Sequence, residues 1–274
     1  MHIFISVDIE GVAGVCEGTQ GRRGNAEYEL ARRLMTEEAN AAIRGAFNGG
    51  ATAVTVADSH GSMRNMLVDQ LDPRARIVSG SLRPYSMVEG VAEDHAGLIL
   101  IGYHAAAGNY GALAHSYSGQ AFHKILVNGT LMGEPTVFAG YAASLGVPLL
   151  AVSGDQFLAE EIAAQFPNAK SILVKQSINS AATNSLSPAE SCNLIEADVQ
   201  TAVQSASGAK VETPITAPFE TSVEFHRQSF ADAATYLPGV ERKDSETVVF
   251  TVDSYRDLIG TIAALSLMVS GLMA

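Results

Sequence analysis

The sequence predicts an α/β protein: a mostly parallel sheet covered by helices on both faces, with a smaller C-terminal α+β portion. Three observations carry that reading. Strand-like and helix-like segments alternate through the first half of the 274 residues. The strand-like runs are continuous in Val, Ile and Leu, the pattern of strands whose two faces are both covered in a parallel sheet. Beyond about residue 180 the order changes to one helix followed by two strands flanking a short helical stretch. Residues 1–180 are expected to form the α/β domain that carries the chemistry. Residues 181–274 are expected to pack on it as the α+β portion and to take part in self-association, and no flexible linker marks the boundary.

Taken in order, "HIFISVD" (2–8) opens the chain as a strand. "NAEYELARRLMTEEANAAIRGAFNGG" (25–50) is a long helix. Glu27 and Glu29 lie near its positive end, Met35, Ala39, Ala42 and Ala46 share one face, and Gly49-Gly50 stop it. "AVTVADSH" (53–60), "RIVSG" (76–80), "LILIGYHA" (98–105), "VPLLAVSGD" (147–155) and "SILVKQS" (171–177) read as further strands, with "QFLAEEIAAQF" a helix. "KILVNGTLM" is a hairpin turning at Asn128-Gly129, a dipeptide that favours type I′ geometry. Glu134 opens a helix beginning at Pro135. "SPAESCNLIEADVQTAVQSA" (187–206) is helical, with Ser187 as cap and Pro188 in the first turn. "ETPITAPFETSVEFHR" (212–227) and "ETVVFTVDS" (246–254) are strands. The uncharged "LIGTIAALSLMVSGLMA" (258–274) is at the lower length limit for a bilayer span. Its internal Gly and Ser residues favour a packing helix, buried in the core or at a subunit interface.

Composition narrows the function. The chain is 47% hydrophobic and 17% charged, and a chain of this length buries roughly three quarters of its unfolded surface. Net charge is −12, and no basic run is longer than a pair such as Arg22-Arg23. Nucleic acid and anionic membrane both call for clustered cations, so neither is an expected partner. Two cysteines without metal-finger spacing, and an N-terminus that runs directly into a strand, point to a reducing cytoplasm.

In open parallel sheets ligands bind beyond the carboxyl ends of the strands. The first strand ends in Asp8 and Glu10, the second in Asp58 and His60, and the "LILIGYH" strand in His104. Residues two apart on a strand project to one side, so each pair converges on a point. Singly, each has an ordinary explanation: Asp58 capping a turn, Asp8 capping a loop, His104 hydrogen-bonded in the core. Jointly, three strand ends deliver acids and histidines to one edge, and crowded carboxylates need a cation between them. A metal is the economical answer. Arg22 and Arg23, in the glycine-rich stretch "GVAGVCEGTQGRRG" (11–24), are the alternative cations. That stretch fits no phosphate-loop pattern and reads as a mobile cover. Further on lie His115, His123 and Glu134; an acid at a helix start also complements the helix dipole.

"SVDIEG" (6–11), "DSHG" (58–61), "GYHA" (102–105), "HS" (115–116), "GE" (133–134), "GVPLLAVSGD" (146–155) and "VKQSI…LSPAE" (174–190) together resemble the zinc-dependent D-aminopeptidase family, in order and over nearly the whole chain. The resemblance implies a two-zinc peptidase that removes N-terminal D-residues from short peptides such as D-Ala-D-Ala. It also implies a ring-shaped homodecamer of two stacked pentamers with active sites facing an inner chamber. Carried over by position, Asp8 bridges the metals, Glu10 and His60 complete one, His104 and Glu134 complete the other, and His115 is catalytic. Imidazole and carboxylate ligands without thiolate suit Zn²⁺, and less strictly Mn²⁺ or Co²⁺. The chemistry expected is metal-assisted amide hydrolysis, with His115 as proton shuttle or oxyanion stabiliser rather than nucleophile. Asp58 and Lys175 are expected beside the site or against substrate, Asp58 receiving the second N–H of a ligating histidine. His123 is at most a support, and His2, His95 and His226 are structural. Two positions depart from the family pattern: Phe138 replaces an Asn four residues after Glu134, and Ala142-Ala143 replaces Ala-Gly. The pocket is then more apolar and the substrate open. A non-peptide amidohydrolase and a non-catalytic peptide-binding protein are the alternatives.

Overall fold

The computed structural model describes residues 1–273; Ala274, the last residue of the expected C-terminal helix, lies outside them. In chain order the strands are β1 (His2–Val7), β2 (Ala53–Asp58), β3 (Arg76–Val78), β4 (His95–Ile101), β5 (Phe122–Val127), β6 (Thr130–Leu131), β7 (Leu149–Gly154), β8 (Lys170–Leu173), β9 (Lys175–Asn179), β10 (Ala182–Ser185), β11 (Phe219–Phe225), β12 (Glu241–Arg242) and β13 (Thr247–Val252). The helices are α1 (Tyr28–Asn48), α2 (Glu134–Ser144), α3 (Gln156–Gln165), α4 (Pro188–Gln204), α5 (Gln228–Ala234) and α6 (Tyr255–Met273).

Six strands form a parallel sheet in the order β3-β2-β1-β4-β7-β8. β1 pairs with β2 on one side and β4 on the other, so the winding of the chain reverses between β1 and β4. That is the switch point at which open α/β sheets form a crevice. Register aligns the exits: Val7 lies opposite both Asp58 of β2 and Ile101 of β4. The residues that follow these three strands therefore leave the sheet at one level.

The apolar runs are fully used. Ile3, Ile5 and Val7 pack with Met35, Ala39 and Ala42 of α1 and with Ile195 and Val199 of α4. Phe4, on the opposite face of β1, belongs to a second core containing Val137 and Phe138 of α2, Leu158 of α3, Ile262 of α6 and Phe122 of β5. The α/β expectation of helices on both faces is met. α4 begins as its sequence predicts, with the Ser187 side chain accepting from the Glu190 N–H and Pro188 in the first turn.

An antiparallel sheet, β12-β13-β11-β5-β6, lies beyond the second core. Asn128 (φ 51°) and Gly129 (φ 77°) both take left-handed backbone between β5 and β6, as a type I′ turn requires. This sheet draws β5 and β6 from before residue 180 and β11 to β13 from after it, while α4 packs on α1. The expected break at residue 180 therefore does not separate the sheets, because the excursion between β4 and β7 sends residues 122–131 out to pair with β11. "SILVKQS" likewise splits: β8 stays in the parallel sheet, and β9 turns away to pair antiparallel with β10.

α6 buries one stripe, Leu258, Ile259, Ile262, Leu265 and Val269, and leaves Leu267 (54%) and Leu272 (53%) exposed. With a mean hydropathy of 1.4 it is long and apolar enough to cross a membrane by length and composition, and 28% of that window is buried. Burial in the core holds for the stripe alone.

Candidate metal centre

The three aligned strand exits converge. Asp8 follows β1 directly, His60 follows β2 by two residues, and His104 follows β4 by three. Asp8 Oδ1 lies 3.1 Å from His60 Nδ1, and Asp8 Oδ2 lies 3.4 Å from His104 Nε2. Glu10 Oε2 is 3.5 Å from His60 Nδ1, 3.7 Å from His104 Nε2 and 3.5 Å from His115 Nε2. Glu134 enters from the first turn of α2, with Oε2 3.6 Å from His104 Nε2 and Oε1 3.8 Å from His115 Nε2. The His104 and His115 rings stack at 4.2 Å. Asp8, His104 and Glu134 are buried, while His60 and His115 are partly open to a cavity.

The hydrogen bonds on the far side of each ring decide what faces inward. His104 Nδ1–H donates to Ala105 O at 3.0 Å, His115 Nδ1–H to Leu113 O at 2.8 Å and His60 Nε2–H to Gly21 O at 3.1 Å. A carbonyl only accepts, so in each ring the other nitrogen carries a lone pair when the imidazole is neutral. Those lone pairs point at carboxylate oxygens, acceptor against acceptor. His104 Nε2 is buried with no hydrogen-bond partner. Such an arrangement is repulsive unless cations lie between the groups. Two sets that share Asp8 have ligand atoms spaced for this: Asp8, Glu10 and His60, and Asp8, His104 and Glu134. The donor set is nitrogen and oxygen without sulfur, which fits zinc.

Electrostatics shows the same demand. Burial disfavours charge on His104, yet Glu134, Asp8 and Glu10 outweigh it and hold its pKa up at about 10. His60 is raised against the same burial by Asp8 and Glu10. Asp8 is lowered despite full burial, by the nearby positive charges of His104 and His60 and the hydrogen bond from His60. Burial raises Glu134, and His104 and His115 offset it only in part. Without a metal, protons on His60 and His104 supply the positive charge that the carboxylates need.

Other predicted residues fall elsewhere. Asp58 is buried but does not touch the His60 ring. Its carboxylate accepts from Asn65 N–H, Met66 N–H (2.7 Å) and Asn65 Nδ2 (2.8 Å), so it caps the turn after β2. It acts on His60 through Asn65, whose Nδ2 also donates to His60 O. Lys175 lies behind the metal-binding loop and not in the cavity. Its Nζ donates to Glu10 O (2.6 Å), Val12 O (3.4 Å) and Val15 O (2.7 Å). Those bonds, with Ala13 N–H on Glu38 Oε1 at 3.0 Å, fix the first half of the stretch expected to be a mobile cover. His123 sits half exposed near Glu224, away from the centre. Phe138 is fully buried and packs behind Tyr117 at 5.7 Å, so it does not make the cavity wall apolar. His2, Asp94 and His95 cluster at the opposite sheet edge, where His95 Nδ1 already accepts from Ala92 N–H.

Sequence reasoning missed Gly21 and Tyr117. Gly21 O orients His60, and a Cβ there would meet His60 Nε2 at 2.9 Å, so only glycine admits the ring. Tyr117 N–H donates to Glu134 Oε1 at 2.6 Å from a left-handed backbone (φ 59°). Neither carries a local signal: one contributes a carbonyl, the other an amide.

The sequence model of the D-aminopeptidase family matches residues 1–264. A D-aminopeptidase of Bacillus subtilis (strain 168) is 38% identical over 249 residues, which cover 91% of this chain and 90% of that protein. The solved structure of a Zn-dependent D-aminopeptidase from Bacillus subtilis, a self-compartmentalizing protease, superposes with a TM-score of 0.94 at 35% identity and covers 98% of each chain. A match of this extent, on a fold that gathers acids and histidines at its switch point, makes the chain a member of the D-aminopeptidase family.

Proposed function

We propose that this protein is a zinc-dependent aminopeptidase that removes N-terminal D-residues from short peptides at a two-metal centre. One feature carries the proposal: three imidazoles, each tied by one N–H to a backbone carbonyl, turn their free nitrogens toward Asp8, Glu10 and Glu134. Asp8, whose two oxygens face different histidines, would be the ligand shared by both metals. Glu10 and His60 would hold one zinc, and His104 and Glu134 would hold the other. Bound zinc supplies a Lewis acid that polarises the scissile carbonyl and acidifies water.

The remaining work belongs to the chain. His115 Nε2 faces the cavity while its Nδ1–H is held by Leu113 O, so the ring is fixed in one tautomer with a free base at the reacting side. It takes a proton at Nε2 during attack and returns it to the leaving amine. Tyr117 N–H keeps Glu134 oriented, and the Asp58–Asn65 contacts keep the His60 segment in place. Self-association into a ring, with a decamer as the expected size, is supported by the exposed apolar side of α6. Free Cys16 and Cys192 suit a reducing cytoplasm.

The test measures hydrolysis of D-Ala-D-Ala and L-Ala-L-Ala by purified protein before and after chelation, with zinc content determined alongside. Cleavage of the D-dipeptide that disappears on chelation and returns with zinc is expected. Cleavage indifferent to chelator refutes the proposal.

A further inference from the structure

The metal centre opens onto a cavity of about 620 Å³, with Glu10, His60 and His115 facing it on one side and Arg22, Arg23 and Arg64 on its walls. All three arginines are exposed. The ion pairs of arginine and lysine engage Arg32, Arg44, Arg74, Lys170 and Arg242. Among the described residues no acid pairs with Arg22, Arg23 or Arg64. Arg23 Nη2 donates to Arg64 O at 2.8 Å, which ties the Arg22-Arg23 turn to the segment carrying Arg64. Three unpaired like charges around one cavity repel one another, and they occur in a chain with 17 basic and 29 acidic residues. An anionic ligand relieves that repulsion.

We propose that Arg22, Arg23 and Arg64 bind the free C-terminal carboxylate of the peptide whose amino-terminal bond is cut at the metal centre. The inference rests on the aminopeptidase function above and narrows its substrate class to short peptides with an unblocked carboxyl end. Guanidinium matches carboxylate in a two-point fork, which fixes direction as well as adding affinity. A cavity of this volume suits a small ligand. The local positive patch also draws an anionic end toward a protein whose net charge of −12 would otherwise repel it. The same arginines leave C-terminal amides and anilides as poor substrates.

The experiment compares D-Ala-D-Ala with its C-terminal amide on the zinc-loaded wild type and on the triple variant R22Q/R23Q/R64Q, with zinc content and particle size as controls. In wild type the acid is expected to exceed the amide by about tenfold to a hundredfold in kcat/KM, mostly through KM. In the triple variant that ratio falls toward one while zinc is retained. Equal kcat/KM for acid and amide on wild type overturns the inference, and does so without any variant having to fold. So does a triple variant that keeps the wild-type ratio. Metal-dependent cleavage of neither peptide instead removes the aminopeptidase function, and this inference with it.

Discussion

At Asp8 the two carboxylate oxygens face different histidines, His60 at 3.1 Å and His104 at 3.4 Å. Asp8→Asn keeps the shape but removes the negative charge that both metals would share and turns one of the two oxygens into an N–H donor. Zinc bound per chain, measured by elemental analysis, is expected to fall at both positions, and kcat/KM by about a thousandfold or more, since the Lewis acid contributes several kcal/mol. Loss of one zinc equivalent alone refutes the bridge. His115 divides differently. His115→Gln removes the proton carrier and is expected to leave zinc content intact while kcat drops by about a hundredfold to ten-thousandfold. An unchanged kcat excludes the shuttle role. Asp8, Glu10, His60 and His104 were legible because strand alternation and strand-end position are local properties. The partners of Asp58 were not, since which N–H groups a capping carboxylate meets depends on the turn that follows it.

The segment between β1 and α1 is held by two buried groups from distant elements: Lys175 of β9 on three of its carbonyls and Glu38 of α1 on Ala13 N–H. Lys175→Met leaves those carbonyls without their donor and loosens Glu10. Zinc affinity, measured by competition with a chromogenic chelator, is expected to weaken by about tenfold to a hundredfold, and an unchanged affinity contradicts the clamp. Glu38 makes a pH-dependent contribution. Burial raises its pKa from 4.5 to about 7 against the hydrogen bonds of Ser191 and Ala13, and Oε2 has no partner. The folded state therefore holds this proton more tightly than the unfolded chain does. Its contribution is complete below pH 4.5 and is lost as pH rises through 7, a swing of about 3 kcal/mol. Glu38→Gln keeps the acceptor and removes the titration. Denaturation at a series of pH values is expected to show the variant gaining on wild type across that interval, and a constant difference refutes it. Elements set by nearby residues were readable in advance: the capped start of α4, the Asn128-Gly129 turn and the apolar strands. The pairing of β5 with β11 was not, because its partners lie about a hundred residues apart, and the split of "SILVKQS" was not, because β9 leaves the parallel sheet for a local hairpin with β10 although the apolar run continues through it.

For the molecule as a whole, α6 sets the open question of assembly. Its inner stripe closes the second core, while Leu267 and Leu272 stay more than half exposed on an otherwise acidic protein. Each leucine fully covered by another copy contributes about 1.5 to 3 kcal/mol, so a contact using both on two chains gains several kcal/mol. Placing a carboxylate at either position adds charge where the contact must be dry, and spares the stripe that holds the fold. Leu267→Glu with Leu272→Glu is therefore expected to convert the proposed assembly into smaller species by light scattering, with circular dichroism unchanged. Retention of the wild-type mass excludes this face of α6 from the assembly contact. A smaller species that still cleaves D-Ala-D-Ala with wild-type kcat shows each active site complete within one chain, as expected when every proposed zinc ligand comes from a single chain.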